Sequence, residues 1–247
     1  MFSEKKYYQV NREERNYGFL LLSSLIYDKL FFHNFINLLK SKNIIDFSNE
    51  IDIDIYAEVA LFRDYWFDLG DHKKYTKELH QSRLDIVKKI LAILNINTEI
   101  VEQYDFFWTG KIEESKLWYP GRWDIAKMKD AEKNEDLNNH ELLRIRWAFN
   151  AKPDILIKSP NNALFIELKI ESGIGENQEG YNQEQTQNDI MYFTKKLIPD
   201  FHDNIIKRAV IAQNEPESIK WEEFQNYFNN ELIKKYMENI PKTKKDA

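Results

Sequence analysis

The segments Lys152-Pro153-Asp154-Ile155-Leu156-Ile157 and Ile166-Glu167-Leu168-Lys169-Ile170 are two short apolar runs that carry charged residues at particular places. A serine, a proline and two asparagines lie between them, which is the composition of a turn, so the two runs predict a β-hairpin. Side chains alternate between the faces of a strand, so Glu167 and Lys169 share one face and their apolar neighbours share the other. The hairpin is therefore predicted to bring Asp154 near Glu167 and Lys169.

The chemistry of these three side chains favours metal-assisted hydrolysis. Two carboxylates can hold Mg²⁺, and a lysine beside them can orient or activate water. Together they are the minimum required to cleave a phosphodiester. The alternative is an ordinary hairpin that carries a surface Glu–Lys pair on its polar face.

Pro153-Asp154 and Glu167-Leu168-Lys169 resemble the two halves of the signature of the PD-(D/E)xK nuclease superfamily, to which many type II restriction endonucleases belong. The resemblance covers about residues 140–225. It implies an α/β fold: a restriction-endonuclease-like mixed sheet flanked by helices, with a mainly helical N-terminal elaboration. It also implies that Asp154 and Glu167 bind Mg²⁺, with Mn²⁺ as a substitute, and that Lys169 lies near the attacking water. The carbonyl of Leu168 would complete the metal shell.

Further site residues follow from the same resemblance. Many members add a glutamate from a helix before the first strand, and Glu14 and Glu58 both fit this role because each is expected near a helix start. The alternative is that each acid merely favours the positive end of a helix dipole. Some members carry a glutamine on the helix after the lysine strand, and Gln187 is the candidate here. A polar helix face is the alternative for Gln187.

Composition limits the classes of protein that this chain can be. It has 247 residues, 43% hydrophobic and 14% aromatic, which can fill the core of one large domain or two small ones. The absence of cysteine excludes disulfides, thiolate zinc sites and a cysteine nucleophile. No apolar stretch is long enough to span a bilayer, so we expect a cytoplasmic protein without a membrane partner. The net charge of −6 argues against indiscriminate binding of nucleic acid, although acids that bind Mg²⁺ add to that charge.

The order of elements, taken with the resemblance, implies a helical region 1–125 that elaborates or packs on a nuclease core 126–247, in one compact domain overall. Helical patterns start near residues 11, 30, 54 and 78. Predicted strands cover 143–149, the two motif segments and 205–212, with a helix over 182–197 and a final helix beginning with Ser218 as its cap. The aromatic residues of 100–123, interleaved with basic ones, either pack a loop against the core or stack on bases.

The resemblance implies a Mg²⁺-dependent DNA endonuclease, of the kind used in restriction or other defence against foreign DNA. Cleavage of two strands would favour a homodimer. Two alternatives stay open: an inactive protein of the same fold that serves binding or assembly, and a nuclease for RNA or branched DNA.

Overall fold

A computed structural model describes residues 14–71, 73–110, 116–131, 139–169, 183–212, 215 and 217–237. The helices are α1 (Glu14–Tyr27), α2 (Lys29–Ser41), α3 (Leu61–Asp68), α4 (Lys77–Ile93), α5 (Ile125–Ala131), α6 (Asn139–Asn150), α7 (Gln183–Leu197) and α8 (Glu231–Met237). The strands are β1 (Asp54–Ala57), β2 (Ile155–Lys158), β3 (Asn162–Lys169) and β4 (Ile205–Ala212). The predicted α/β class with a mixed sheet is thus confirmed.

The chain forms two compact units whose segments alternate along the sequence. The first unit comprises residues 1–59, 153–175 and 203–247, and the second comprises 60–152 and 176–202. The sheet of the first unit takes β1 from the region that was predicted to be a helical elaboration.

The sheet has the order β1-β2-β3-β4. The first three strands are antiparallel neighbours, and β4 runs parallel to β3. The predicted hairpin of β2 and β3 is confirmed, as is the predicted strand over 205–212. Both faces of β3 are buried along its whole length, which matches its nearly continuous apolar sequence.

One face of this sheet packs on α1 and α2. Apolar side chains at alternate positions of β2 and β3 join those of both helices in one core, and these include Tyr17, Phe31, Phe35, Ile166 and Leu168. Asp28 separates the helices and caps α2, because its side chain accepts hydrogen bonds from the backbone N–H groups of Leu30 and Phe31, each at 3.0 Å.

Amide side chains fix the turn of the hairpin. Asn204 is buried, and its Nδ2 donates to the carbonyls of Ser159 at 3.0 Å and Pro160 at 3.3 Å. Asn162 donates to the Glu50 carboxylate at 2.7 Å. These bonds connect the turn to the residue before β4 and to the segment before β1.

After β4, the predicted helix that starts at Ser218 is not formed. The hydroxyl of Ser218 instead donates to the carbonyls of Ala212 and Glu215, at 2.9 and 2.8 Å. Short 3₁₀ turns follow at Trp221–Glu223 and Gln225–Tyr227, and α8 begins only at Glu231. The apolar residues of this segment, Trp221, Phe224 and Phe228, enter the core of the first unit.

Two other predicted elements were wrong. Residues 143–149 form part of α6 rather than a strand, and residues 54–57 form β1 rather than the start of a helix. The segment from Leu143 to Trp147 alternates apolar and basic residues, which imitates a strand. In the folded chain Arg144 bonds Glu141 one helical turn earlier at 2.7 Å, and also Asp189 of α7.

The aromatic segment belongs to the second unit, and its rings pack inside that unit. Phe106, Phe107, Trp108, Tyr119 and Trp123 are buried, and Trp123 makes edge-on contact with Phe107. Of the two interpretations offered for this segment, packing of a loop against the core agrees with this burial.

Among the described residues, no single helix is both long and apolar enough to cross a membrane. The pair Asn16–Tyr27 and Lys29–Ser41 passes the same test of length and composition when taken together, although a bend of 106° separates them.

Candidate active site

Asp154 lies directly before β2, where the register of the hairpin sets it opposite Glu167 of β3. The pair Ile155–Ile166 is the last of the β2–β3 ladder, so the next pair along is Asp154 and Glu167. Beyond the last pair of that ladder, the Asp154 side chain acts as the hydrogen-bond acceptor in place of a backbone carbonyl. Its Oδ2 accepts the N–H of Leu168 at 2.7 Å. This bond brings the carboxylate of Asp154 to the peptide group that joins Glu167 to Leu168.

Glu167 and Lys169 form an ion pair on one face of β3. Lys169 Nζ lies 2.9 Å from Glu167 Oε1, and both side chains are about nine-tenths buried. The expected alternation of β3 therefore holds at this point. A buried charge is costly unless it is paired, so the ammonium and the carboxylate stabilise each other.

The backbone of Lys169 is held from the other end of the chain. The indole Nε1 of Trp221 donates to the Lys169 carbonyl at 3.0 Å. Trp221 is itself buried against Tyr17 of α1, with ring centroids 6.0 Å apart. Trp221 was missed by the sequence reasoning, since a tryptophan 52 residues after the lysine carries no local signal of this contact.

The turn that carries Trp221 is fixed by Glu223. Its carboxylate accepts the backbone N–H of Lys220 at 2.7 Å and pairs with Lys42 Nζ at 2.5 Å. Partial burial raises the pKa of Glu223, but the hydrogen bonds and charges of Lys42 and Lys220 outweigh it and leave the pKa below its ordinary value.

Glu58 is next to Asp154, directly after β1 and two residues before Ala60, the N-cap of α3. It follows the last residue of β1, and its N–H donates to the Asp154 carbonyl at 3.0 Å, which extends the β1–β2 ladder by one pair. Its backbone is left-handed, with φ of 46°, and its side chain is exposed. Glu58 is therefore a cross-strand neighbour of Asp154, and its role at the site stays a prediction.

Glu14 and Gln187 lie in the predicted helices. Glu14 is the first residue of α1, and its side chain lies outside the described part of the chain. Gln187 is a buried residue of α7, in the second unit. Their roles stay predictions, as does that of the Leu168 carbonyl.

The chain has no match in the comparisons with known proteins. No protein-family model, no curated protein and no solved structure resembles it closely enough to match. Its function is therefore inferred from the geometry and chemistry of the side chains themselves.

The donor set fits Mg²⁺ in its chemistry. This ion keeps several waters and is usually bound by one or two carboxylates, and Asp154 and Glu167 supply two at neighbouring positions of the hairpin. Within the described ranges, no group of three or more His, Cys, Asp or Glu side chains is arranged to hold a metal ion. A site on these two residues would take its remaining ligands from water, from substrate oxygen or from the Leu168 carbonyl.

Proposed function

We propose that this protein is a Mg²⁺-dependent endonuclease of the PD-(D/E)xK type that cleaves DNA, in restriction or other defence against foreign DNA. The observation that carries the proposal is the pairing of Asp154 with Glu167 across the hairpin, with Lys169 ion-paired beside them on β3.

The order of elements supports the same proposal. Two helices precede β1, and α3 to α6 separate it from the β2–β3 hairpin; the three strands are antiparallel neighbours, and α7 separates β3 from β4, which runs parallel to it. This order agrees with the restriction-endonuclease-like core that the resemblance implied. In the proposed correspondence β1 at 54–57 would take the place of the first strand, since residues 143–149 are helical.

In the proposed reaction, the oxygen of a water forms a bond to phosphorus while the bond from phosphorus to the leaving sugar oxygen breaks. The attacking water releases one proton to solvent, and the leaving oxygen takes one proton from solvent. Asp154 and Glu167 would hold Mg²⁺, which when bound supplies Lewis acidity and lowers the pKa of a coordinated water. Lys169 would place its ammonium beside the phosphate and stabilise the negative charge that develops there.

The test is DNA cleavage by the purified chain, with Mg²⁺ or with EDTA, beside Asp154→Asn and Lys169→Met. We expect discrete fragments that require Mg²⁺, and a loss of at least 100-fold in rate for each variant, because removing one group that stabilises transition-state charge costs about 10²–10³. Lys207→Met is the matched control, since Lys207 is an exposed lysine on β4 of the same sheet.

Two results would contradict the proposal: cleavage that survives both substitutions, and no cleavage of any DNA under any metal condition. Cleavage of RNA or branched substrates with the same residue dependence would keep the site and change the substrate.

A second candidate is an inactive protein of this fold that serves binding or assembly. The observation in its favour is that Glu167 and Lys169 neutralise each other through their own ion pair. The two candidates differ in metal binding. Millimolar Mg²⁺ or Mn²⁺ should raise the melting temperature of the nuclease but not that of the inactive protein, and Asp154→Asn should abolish the increase.

A further inference from the structure

Arg83 is a buried cation that has no acidic partner. It lies on α4 in the second unit and is only 2% exposed. Arginine is almost never buried to this extent unless an opposite charge pairs with it. Within the part of the chain that the structure describes, no carboxylate acts on the Arg83 guanidinium. In the same unit, by contrast, Arg144 is bound by the carboxylates of Glu141 and Asp189.

The surroundings of Arg83 hold it in place without neutralising it. Its Nη2 donates to the carbonyls of Trp66 at 3.5 Å and Gly70 at 3.3 Å, at the C-terminal end of α3. These carbonyls carry no net charge, and both bonds are long. The Nε atom is buried and has no hydrogen-bond partner among the described residues. Burial lowers the pKa of Arg83, and the nearby phenol of Tyr75 offsets this effect only in part.

A second cation lies at the same aromatic ring. The guanidinium carbon of Arg83 is 5.6 Å from the centroid of the Tyr75 ring, and Nζ of Lys116 is 5.3 Å from it. Aromatic faces attract cations, which explains how one ring can hold both. The two positive charges nevertheless repel each other, and a bound anion would remove that repulsion.

Tyr75 also orients a third donor. Its oxygen accepts the backbone N–H of Leu117 at 3.2 Å, and the acceptor in reach of its own O–H is Nδ1 of His80, also at 3.2 Å. When Nδ1 accepts this bond, the proton of the neutral imidazole is on Nε2. His80, Arg83 and Lys116 therefore all present N–H donors around Tyr75, and we name these four residues the Arg83 cluster.

We propose that the Arg83 cluster binds the phosphate group of a small ligand. The inference concerns the second unit alone and does not depend on the proposed nuclease activity.

The charge of the neighbouring sequence agrees with an anionic ligand. Residues 73–83 include four basic side chains and one acid, although the whole chain has a net charge of −6. The lysines at positions 73, 74 and 77 are exposed beside Tyr75, as is Lys116. A phosphate group carries up to two negative charges and three acceptor oxygens, so it satisfies this set of cations and donors better than a carboxylate does.

The burial of Arg83 favours a small ligand over a duplex. Proteins contact the continuous backbone of DNA mainly through exposed basic and polar side chains. The Arg83 cluster instead extends from an exposed lysine, through the partly exposed Tyr75 and His80, to a buried guanidinium. A terminal phosphate can enter such a cluster more easily than a phosphate that is linked on both sides.

The first test is a titration of the full chain with inorganic phosphate, without divalent metal and at constant ionic strength. We expect saturable binding by calorimetry. We also expect the Nε–H signal of Arg83 in ¹H–¹⁵N spectra to shift as this donor gains an acceptor, and Arg83→Lys identifies the signal by removing it. Acetate at the same ionic strength should give a much smaller response.

Two variants measure the contribution of each cation. Arg83→Lys keeps the charge but loses the planar set of donors, so the affinity for phosphate should fall about tenfold, the effect of one hydrogen bond between charged groups. Lys116→Met should weaken binding about two- to fivefold, because exposed ion pairs contribute less.

Lys89→Met is the matched control, since Lys89 is an exposed lysine on α4 outside the Arg83 cluster, and its affinity should not change. Because Lys116 and Lys89 are both exposed, their variants decide the question even where Arg83→Lys fails to fold.

Four results would overturn the proposal. They are an Arg83 Nε–H signal that phosphate does not shift, equal affinities of the Lys116→Met and Lys89→Met variants, a response to acetate as strong as that to phosphate, and binding that Lys169→Met abolishes. The last result would place the phosphate at Lys169 in the first unit instead.

Discussion

Lys169 is held through both its side chain and its backbone. The ammonium is paired with Glu167 at 2.9 Å, and the carbonyl accepts the indole N–H of Trp221 at 3.0 Å. The ion pair balances the positive charge of Lys169, and the hydrogen bond from Trp221 fixes the backbone at the end of β3. Since the functional atoms of a site need positions defined to within about 0.5 Å, the second contact matters as much as the first.

Trp221→Phe keeps the buried ring and removes only the indole N–H. We expect the free energy of unfolding in urea to fall by about 1–3 kcal/mol, because a buried carbonyl loses its donor. Hydrogen exchange should also become faster in the peptide that covers the end of β3. Trp108→Phe is the matched control in the second unit, where Trp108 Nε1 donates to the Val101 carbonyl at 2.6 Å. It should lower stability without changing exchange in β3, and unchanged exchange in both variants would contradict the assigned role of Trp221.

At this scale, the sequence predicts the residues whose signal is local. Asp154, Glu167 and Lys169 stand in a hairpin whose alternation and turn composition can be recognised directly. Trp221 could not be predicted, because its contact joins residues 52 positions apart. The strand position of Glu58 could not be predicted either, since it depends on a ladder with β2 that is nearly a hundred residues away in sequence.

At the scale of elements, the close approach of α1 to β3 depends on one glycine. A Cβ atom on Gly18 would lie 2.8 Å from Cδ1 of Leu168, which is too close for ordinary contact. Leu168 is buried and is also the residue whose N–H binds Asp154, so a shift there would reach the candidate site.

Gly18→Ala sets helix propensity against packing. Alanine should gain about 1 kcal/mol as a helix former, whereas overpacking a core typically costs about 1–3 kcal/mol. We expect the packing cost to be larger, because α1 and β3 are both fixed in the core, so the variant should unfold at lower urea. Asn37→Ala, on the exposed face of α2, gains propensity without a clash and should be neutral or stabilising. A more stable Gly18→Ala protein would show that the helix can move away from the sheet at little cost.

Elements with one dominant pattern were predicted and those with a competing pattern were not. The helix over 183–197 and the strand over 205–212 follow their hydrophobic patterns. Residues 143–149 alternate as a strand does, but Leu142, Ile145 and Phe149 are buried at spacings of three and four, and this helical face decided the structure.

At the scale of the whole molecule, the core of the first unit joins parts that are far apart in the chain. Tyr17 and Phe31 come from its beginning, Leu168 from its middle and Phe228 from near its end. Asp154, Glu167 and Lys169 belong to the middle segment of the first unit. The core around this segment is built from all three segments of that unit.

A fragment of residues 126–247 should therefore not fold alone, even though it contains Asp154, Glu167 and Lys169. It lacks α1, α2 and β1, which leaves one face of the sheet and one of its edges uncovered. We expect no cooperative thermal transition by circular dichroism for the fragment and a clear transition for the full chain. A cooperative transition in the fragment would show that 126–247 folds without the N-terminal elements.

The parallel pairing of β3 with β4 has a consequence for synthesis in the cell. The hairpin can form as soon as residue 169 leaves the ribosome, but its partner strand and Trp221 are translated afterwards. The end of β3 can therefore reach its final position only after the segment that carries Trp221 has been translated. A nuclease built in this way would stay inactive on a nascent chain that has not yet reached Trp221, and nearby DNA would be spared until then.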